Sequence, residues 1–153
     1  MAVKPIPDGY HTATPYLIIS GAADAIEFYK KALGAKEMVR MDAPGGKIGH
    51  AEIQIGDSMI MLSDENPDMG AQSAQTLGGS PISIVLYVQN VDAAFETAVK
   101  QGATPVRPLE NQFYGDRAGT VADPFGLQWH LHQHIEDVTP EQMEQRAAAA
   151  ANA

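Results

Sequence analysis

The chain repeats itself, and any fold it adopts must accommodate two copies of one supersecondary unit. In the first copy, Thr14-Pro-Tyr-Leu-Ile-Ile19 is rich in β-formers and is closed by Ser20-Gly21, which predicts a strand. Apolar residues then fall at Ala22, Ala25, Ile26, Tyr29, Ala32 and Leu33, the stripe of an amphipathic helix, and Gly34 supplies its stop. Three strand-like stretches follow, at 36–41, 48–55 and 58–63, separated by Pro44-Gly45-Gly46 and Gly56-Asp57. The order is βαβββ. About 68 residues on, it restarts: a strand at 82–88, a helix carrying Val91, Ala94, Phe95, Ala98 and Val99, a stop at Gly102, and strands near 104–107, 118–122 and 127–132. Ala23-Asp24-Ala25 answers Val91-Asp92-Ala93, and Leu33-Gly34-Ala35 answers Gln101-Gly102-Ala103.

These boundaries divide the chain into a first module at 10–65, a linker at 66–80 rich in Asn, Pro, Asp, Gly and Gln, a second module at 81–135, and a tail at 136–153. Thr139-Pro140-Glu141-Gln142 is a capping box, so the tail is expected to be a short helix running into its alanines. A chain of 153 residues buries about 70% of its unfolded surface, enough for a core without staples.

Composition then removes whole classes of function. With no cysteine there is no disulfide, thiolate metal site or cysteine nucleophile, which leaves histidine and carboxylate as metal ligands. A net charge of −9 disfavours nucleic acid, whose binding depends on clustered Lys and Arg, and would mildly attract a cationic ligand. No apolar run approaches the about 20 residues of a membrane span, and the prolines and aspartate of Met1–Gly9 do not fit a secretory leader. The expectation is a cytoplasmic protein with no membrane partner.

Beyond the repeat, a set of local patterns stands in a fixed order: Pro15-Tyr-Leu, Ala25-Ile-Glu-Phe-Tyr29, His50-Ala-Glu52, Ile55-Gly-Asp-Ser58, Gly78-Gly-Ser80, Phe113-Tyr-Gly-Asp-Arg117 and Asp123-Pro-Phe-Gly126. Together they resemble the PhnB-like branch of the vicinal oxygen chelate superfamily, which includes glyoxalases, bleomycin resistance proteins and dioxygenases. The resemblance implies an α+β fold in which two βαβββ modules form a curved eight-stranded mixed sheet, with helices on the convex side and a ligand or metal site on the concave one. It also implies a homodimer. In metal-dependent members four inward side chains hold the ion, and the corresponding positions here are Thr14, Met61, Ser83 and His130. Only His130 is a good ligand, because hydroxyls bind first-row ions poorly and a thioether prefers soft metals.

Strand alternation nominates the other residues of the cup, since side chains two apart share a face. Thr12, Thr14, Tyr16 and Ile18 go together, as do Met59, Met61 and Ser63. His50, Glu52 and Gln54 form a polar face against Ala51, Ile53 and Ile55, and His130, His132 and His134 lie opposite Trp129 and Leu131. Trp129 is expected to pack under the second helix, His11 to be a surface residue, and Arg117 to hold Asp116 or another carboxylate. The expected ligand-binding set is Thr14, Tyr16, Glu52, Met61, Ser83, Phe113, Tyr114 and His130, with Tyr87 and Met59 divided between core and lining. His50, Glu52, His130 and His132 are the weak candidates for a metal. Two readings compete. The first is a small-molecule binding protein without a cofactor that sequesters an aromatic or cationic compound, expected to bind in the micromolar range. The second is a lyase or dioxygenase-like enzyme using a divalent ion such as zinc on a rearranged His130, His132 and Glu52 site.

Overall fold

The computed structural model describes residues 2–153 and has the α+β class expected from the repeat. The first module supplies β1 (Tyr16–Ile19), α1 (Ala22–Leu33), β2 (Lys36–Ala43), β3 (Lys47–Ile55) and β4 (Ser58–Asp64). The segment between the modules carries a 3-10 turn at Pro67–Met69 and a single turn of helix, α2 (Ala74–Leu77), capped by the Ser73 hydroxyl. The second module supplies β5 (Ile84–Tyr87), α3 (Val91–Lys100), β6 (Thr104–Asn111), β7 (Asp116–Ala122) and β8 (Gln128–His134), and α4 (Pro140–Ala151) follows. The eight strands are hydrogen-bonded as two four-stranded mixed sheets, ordered β1-β4-β3-β2 and β5-β8-β7-β6. The chain forms two compact units, one running to Pro81 together with Phe125–Leu127, the other comprising Ile82–Pro124 and Gln128–Ala153.

In the first unit α1 buries Ala22, Ala25, Ile26, Tyr29 and Ala32, the stripe read from the sequence. The sheet offers it Ile19, Ala51, Ile53, Ile60 and Leu62, all buried, and each large aliphatic removed from water contributes about 1.5–3 kcal/mol. Phe125 meets the edges of Phe28 and Tyr29 at centroid distances of 6.1 and 6.3 Å. Gly34 closes α1 in the left-handed region at φ 68°, where a side chain would be strained. Its start has no side-chain cap of its own. Asp64, at the end of β4, does that work instead: one carboxylate oxygen accepts from the Gly21 and Ala22 amides at 2.9 and 3.0 Å, and the other from Ile48 at 2.7 Å.

The second unit copies this register. β1 runs parallel to β4 with Tyr16 beside Met61, and β5 runs parallel to β8 with Val85 beside His130, a spacing of 69 residues that carries one face onto its equivalent. Asn90 caps α3 through the Ala93 amide. The helix buries Val91 and Ala98, while Val121, Trp129 and Leu131 form the buried face of its sheet. The Trp129 indole N–H donates to Asp123 at 2.9 Å. Arg117 does not hold Asp116. Its guanidinium reaches Asp92 in the first turn of α3 at 2.7 and 3.0 Å, because residues 116 and 117 point to opposite faces of β7.

The tail helix α4 has the expected box: the Thr139 hydroxyl accepts from the Gln142 amide at 3.2 Å and the Gln142 side chain accepts from the Thr139 amide at 3.0 Å. Arg146 ties it to Glu136 at 2.7 and 2.8 Å and to the Phe113 carbonyl at 3.4 Å. That carbonyl lies in the β6–β7 turn, whose Gly115 has φ 97° and accepts from the Ile135 and Glu136 amides. A Cβ at Gly115 would collide with the Glu136 carbonyl oxygen and the Val138 side chain, so no other residue fits.

Candidate functional site

The histidine row of β8 is where polar chemistry concentrates. Trp129 and Leu131 point into the core, which turns His130, His132 and His134 to the other face. The antiparallel register of β7 sets Thr120 opposite His130, Ala118 opposite His132 and Asp116 opposite His134. On the other side, β5 places Tyr87 beside His132.

Asp116 organises the row. Its side chain is 5% exposed and accepts three hydrogen bonds: from the Tyr87 hydroxyl at 2.9 Å, from His132 Nδ1 at 2.9 Å and from His134 Nδ1 at 2.9 Å. A carboxylate can only accept, so His132 carries its proton on Nδ1, and in the neutral ring Nε2 is a bare acceptor. His134 Nε2 also lies 2.8 Å from Asp137, so both its nitrogens face carboxylates, which favours the protonated ring. Burial alone would raise the Asp116 pKa, but the donors His132, His134 and Tyr87 outweigh it and hold the carboxyl below its ordinary value. The Tyr87 hydroxyl is pushed up by its bond to Asp116. His130 sits between two hydroxyls, Thr120 Oγ1 at 2.7 Å from Nδ1 and Ser83 Oγ at 2.8 Å from Nε2. Its pKa is lowered by burial first, then by repulsion from His132 whenever that ring is protonated, and from Arg107.

Of these, Thr120, His130 and His132 line a cavity of about 300 Å³ with Arg107, Pro108, Glu110, Gln112 and Tyr114. The Tyr114 ring stacks on His132 at 6.3 Å and 24°, and burial followed by the Asp116 charge raises its hydroxyl pKa. Phe113 packs edge-on against Tyr114 at 5.3 Å.

The expected ligand residues thus fall into two groups, one per unit. Tyr114 and His130 share the second unit's cavity, Ser83 reaches it through His130, and Phe113 buttresses Tyr114. In the first unit Tyr16, Glu52 and Met61 share a face of the sheet, with Met61 the register partner of both, and Thr14 lies in the segment leading into β1. There Tyr10 donates to Glu52, His50 Nε2 lies 3.0 Å from the same carboxylate, and His50 Nδ1 lies 3.0 Å from the Tyr16 hydroxyl. Tyr16 borders a cavity of about 540 Å³ with Lys47, Ser63 and Asp64. Met59 is buried, and His11 is exposed beside the Asp57 carbonyl.

Asp116, Thr120 and Arg107 are the site residues the sequence reading missed. The signal was parity: Asp116, Ala118 and Thr120 alternate in step with the histidines, but a strand expected only from residue 118 hid that Asp116 opens β7.

The surroundings of His130 do not fit a divalent ion. Both its nitrogens face hydroxyls, and among the described residues no group of three or more His, Asp or Glu is placed to hold a metal.

The charge on His134 has a measurable sign. Bonds to Asp137 and then Asp116 raise its pKa above 6.5, so its contribution to stability is fully present below that value and is lost as pH rises through the raised one. His134→Gln should therefore destabilise the protein at acidic to neutral pH and lose that effect in alkaline buffer, read by urea unfolding across the range. A difference constant with pH would contradict the assignment.

Comparison with known proteins agrees with this architecture. The chain is 43% identical over 134 residues to the protein Mb0911c of Mycobacterium bovis, covering 86% of this chain and 88% of that one. Among solved structures, PA1353 from Pseudomonas aeruginosa is 26% identical with a TM-score of 0.65, over 82% of this chain and 99% of that one. The PhnB protein from Bacillus cereus shares the fold at 19% identity and a TM-score of 0.60, over 80% and 99% of the two chains. The family model described as Glyoxalase/Bleomycin resistance protein/Dioxygenase superfamily matches residues 10–131, and the chain belongs to that superfamily.

Proposed function

We propose that this protein is a small-molecule binding member of its superfamily, a cytoplasmic homodimer that sequesters an aromatic compound in the second unit's cavity without a resident metal. The observation that carries this reading is the stacked pair of Tyr114 and His132 beside His130, each ring held by neighbours before any ligand arrives. A flat molecule entering the cavity extends an existing stack and orders little, so most of its contact energy is kept as affinity. The volume suits a compound of one or two rings. Dimerisation is supported by the edge strand β2, which leaves Met38, Val39 and Met41 exposed.

The test is calorimetric titration with 2-naphthol in the presence of EDTA. Binding in the micromolar range, on the order of −8 kcal/mol, is expected. Tyr114→Ala should weaken it about ten-fold, since stacking alone is worth about 0.5–1.5 kcal/mol beyond burial. Equal affinity in the variant would rule this cavity out.

A further inference from the structure

Of the four arginines, three are held by carboxylates: Arg40 by Glu37, Arg117 by Asp92 and Arg146 by Glu136. Arg107 lines the cavity instead, and no ion pair among the described residues includes it. Its position is set by register. Arg107 on β6 lies opposite Thr120 on β7, which lies opposite His130 on β8. The next row on the same face runs Glu110, Ala118, His132. One row therefore ends in a guanidinium that only donates. The other offers the Glu110 carboxylate and the bare Nε2 of His132, which accept.

Resting on the reading of this cavity as a binding site, we infer that its ligand is a flat ring with an anionic group at one edge and an N–H or O–H donor at the opposite edge, an amino- or hydroxy-substituted aromatic acid. The acid meets Arg107, the donor meets His132 Nε2 and Glu110, and the ring lies on Tyr114. Ala118 and Thr120 are two residues apart on β7, so the rows are separated by about 7 Å, which matches para substituents on a single ring. The net charge of −9 does not decide the matter, because a ligand in the cavity meets the local donors rather than the distant surface. Asp116 is the positioning residue: by accepting the hydrogen bond from His132 Nδ1–H it fixes which nitrogen the ligand sees.

The probes are 4-aminobenzoate, its methyl ester and benzoate, titrated calorimetrically at pH 8 with EDTA. The acid should bind about ten-fold tighter than the ester, whose charge is gone, and about five-fold tighter than benzoate, which lacks the donor. Arg107→Gln lies on an exposed position and should abolish the preference for the acid over the ester while leaving the preference over benzoate. His132→Phe keeps a ring against Tyr114 and should do the reverse, and a melting curve for each variant verifies folding. Equal binding of the three probes, or preferences that survive both substitutions, would overturn the polarity while leaving the cavity intact as an aromatic site. If neither these probes nor 2-naphthol binds at about 5 mM, the binding reading and the polarity fall together.

Discussion

Replacing Trp129 with alanine is expected to lower the free energy of unfolding by about 4 kcal/mol, the largest effect of any single truncation in the second unit. The side chain is fully buried among Val121, Leu131 and the face of α3, and removing it leaves a void that a packed β-sheet cannot close. It also takes the indole N–H away from Asp123, a buried carboxylate in the β7–β8 turn. Trp129→Phe separates the two contributions, because it keeps most of the volume and loses the donor. About 1–3 kcal/mol of the loss should persist in the phenylalanine variant. For a chain of this length the alanine variant should melt about 10 °C lower, and equilibrium urea unfolding with an unchanged m-value would assign the loss to the folded state. A loss under about 2 kcal/mol would mean that the core relaxes around the gap.

The second large effect falls on Asp116→Ala. Three donors converge on this carboxylate, but they do not lose equally. His134 and Tyr87 reach solvent and can bond to water, whereas the His132 side chain is 14% exposed and is left with a buried N–H. We expect about 2–3 kcal/mol of destabilisation, with Asp116→Asn intermediate because its carbonyl oxygen still accepts. The functional loss should be greater in kind. Once Nδ1 no longer needs to donate, the His132 proton is free to move to Nε2, and affinity for 4-aminobenzoate should fall about ten-fold while affinity for 2-naphthol falls less. The pH dependence has a definite direction. A carboxyl held below 3.8 stabilises the fold above that value, and the contribution disappears as pH drops through the lowered one. The gap between wild type and Asp116→Ala should thus be widest near neutrality and close in strong acid. A gap that widened on acidification would contradict the network.

How much of this was legible in the sequence depended on whether the cause was local. The α1 stripe ended where Gly34 left the helix, so Ala22–Leu33 emerged with both its ends, and α3 closes at Gln101, one residue before the stop expected at Gly102. The alternation of His50, Glu52 and Gln54 marked the polar face of β3 because Ala51, Ile53 and Ile55 between and after them are buried. The roles of Asp64 and Asp116 were not legible. Each acts on partners brought near by tertiary pairing, Gly21 and Ile48 for one, Tyr87 and His134 for the other, and no spacing rule connects such residues. For Arg107, strand pairing fixed its row, but only the ion pairs among the described residues set it apart as the arginine not held by a carboxylate.

The three residues Phe125–Leu127 sit in the turn between β7 and β8 yet belong to the first unit, where Phe125 covers Phe28 and Tyr29. During synthesis the first 81 residues leave the ribosome long before that plug is made. The early half must therefore wait with an aromatic patch of α1 uncovered until more than forty further residues have emerged. Translation speed across β5 to β7 thus sets how long a nascent chain stays open to chaperones, and a stalled chain cut short of Phe125 would be a substrate for them rather than a small independent domain.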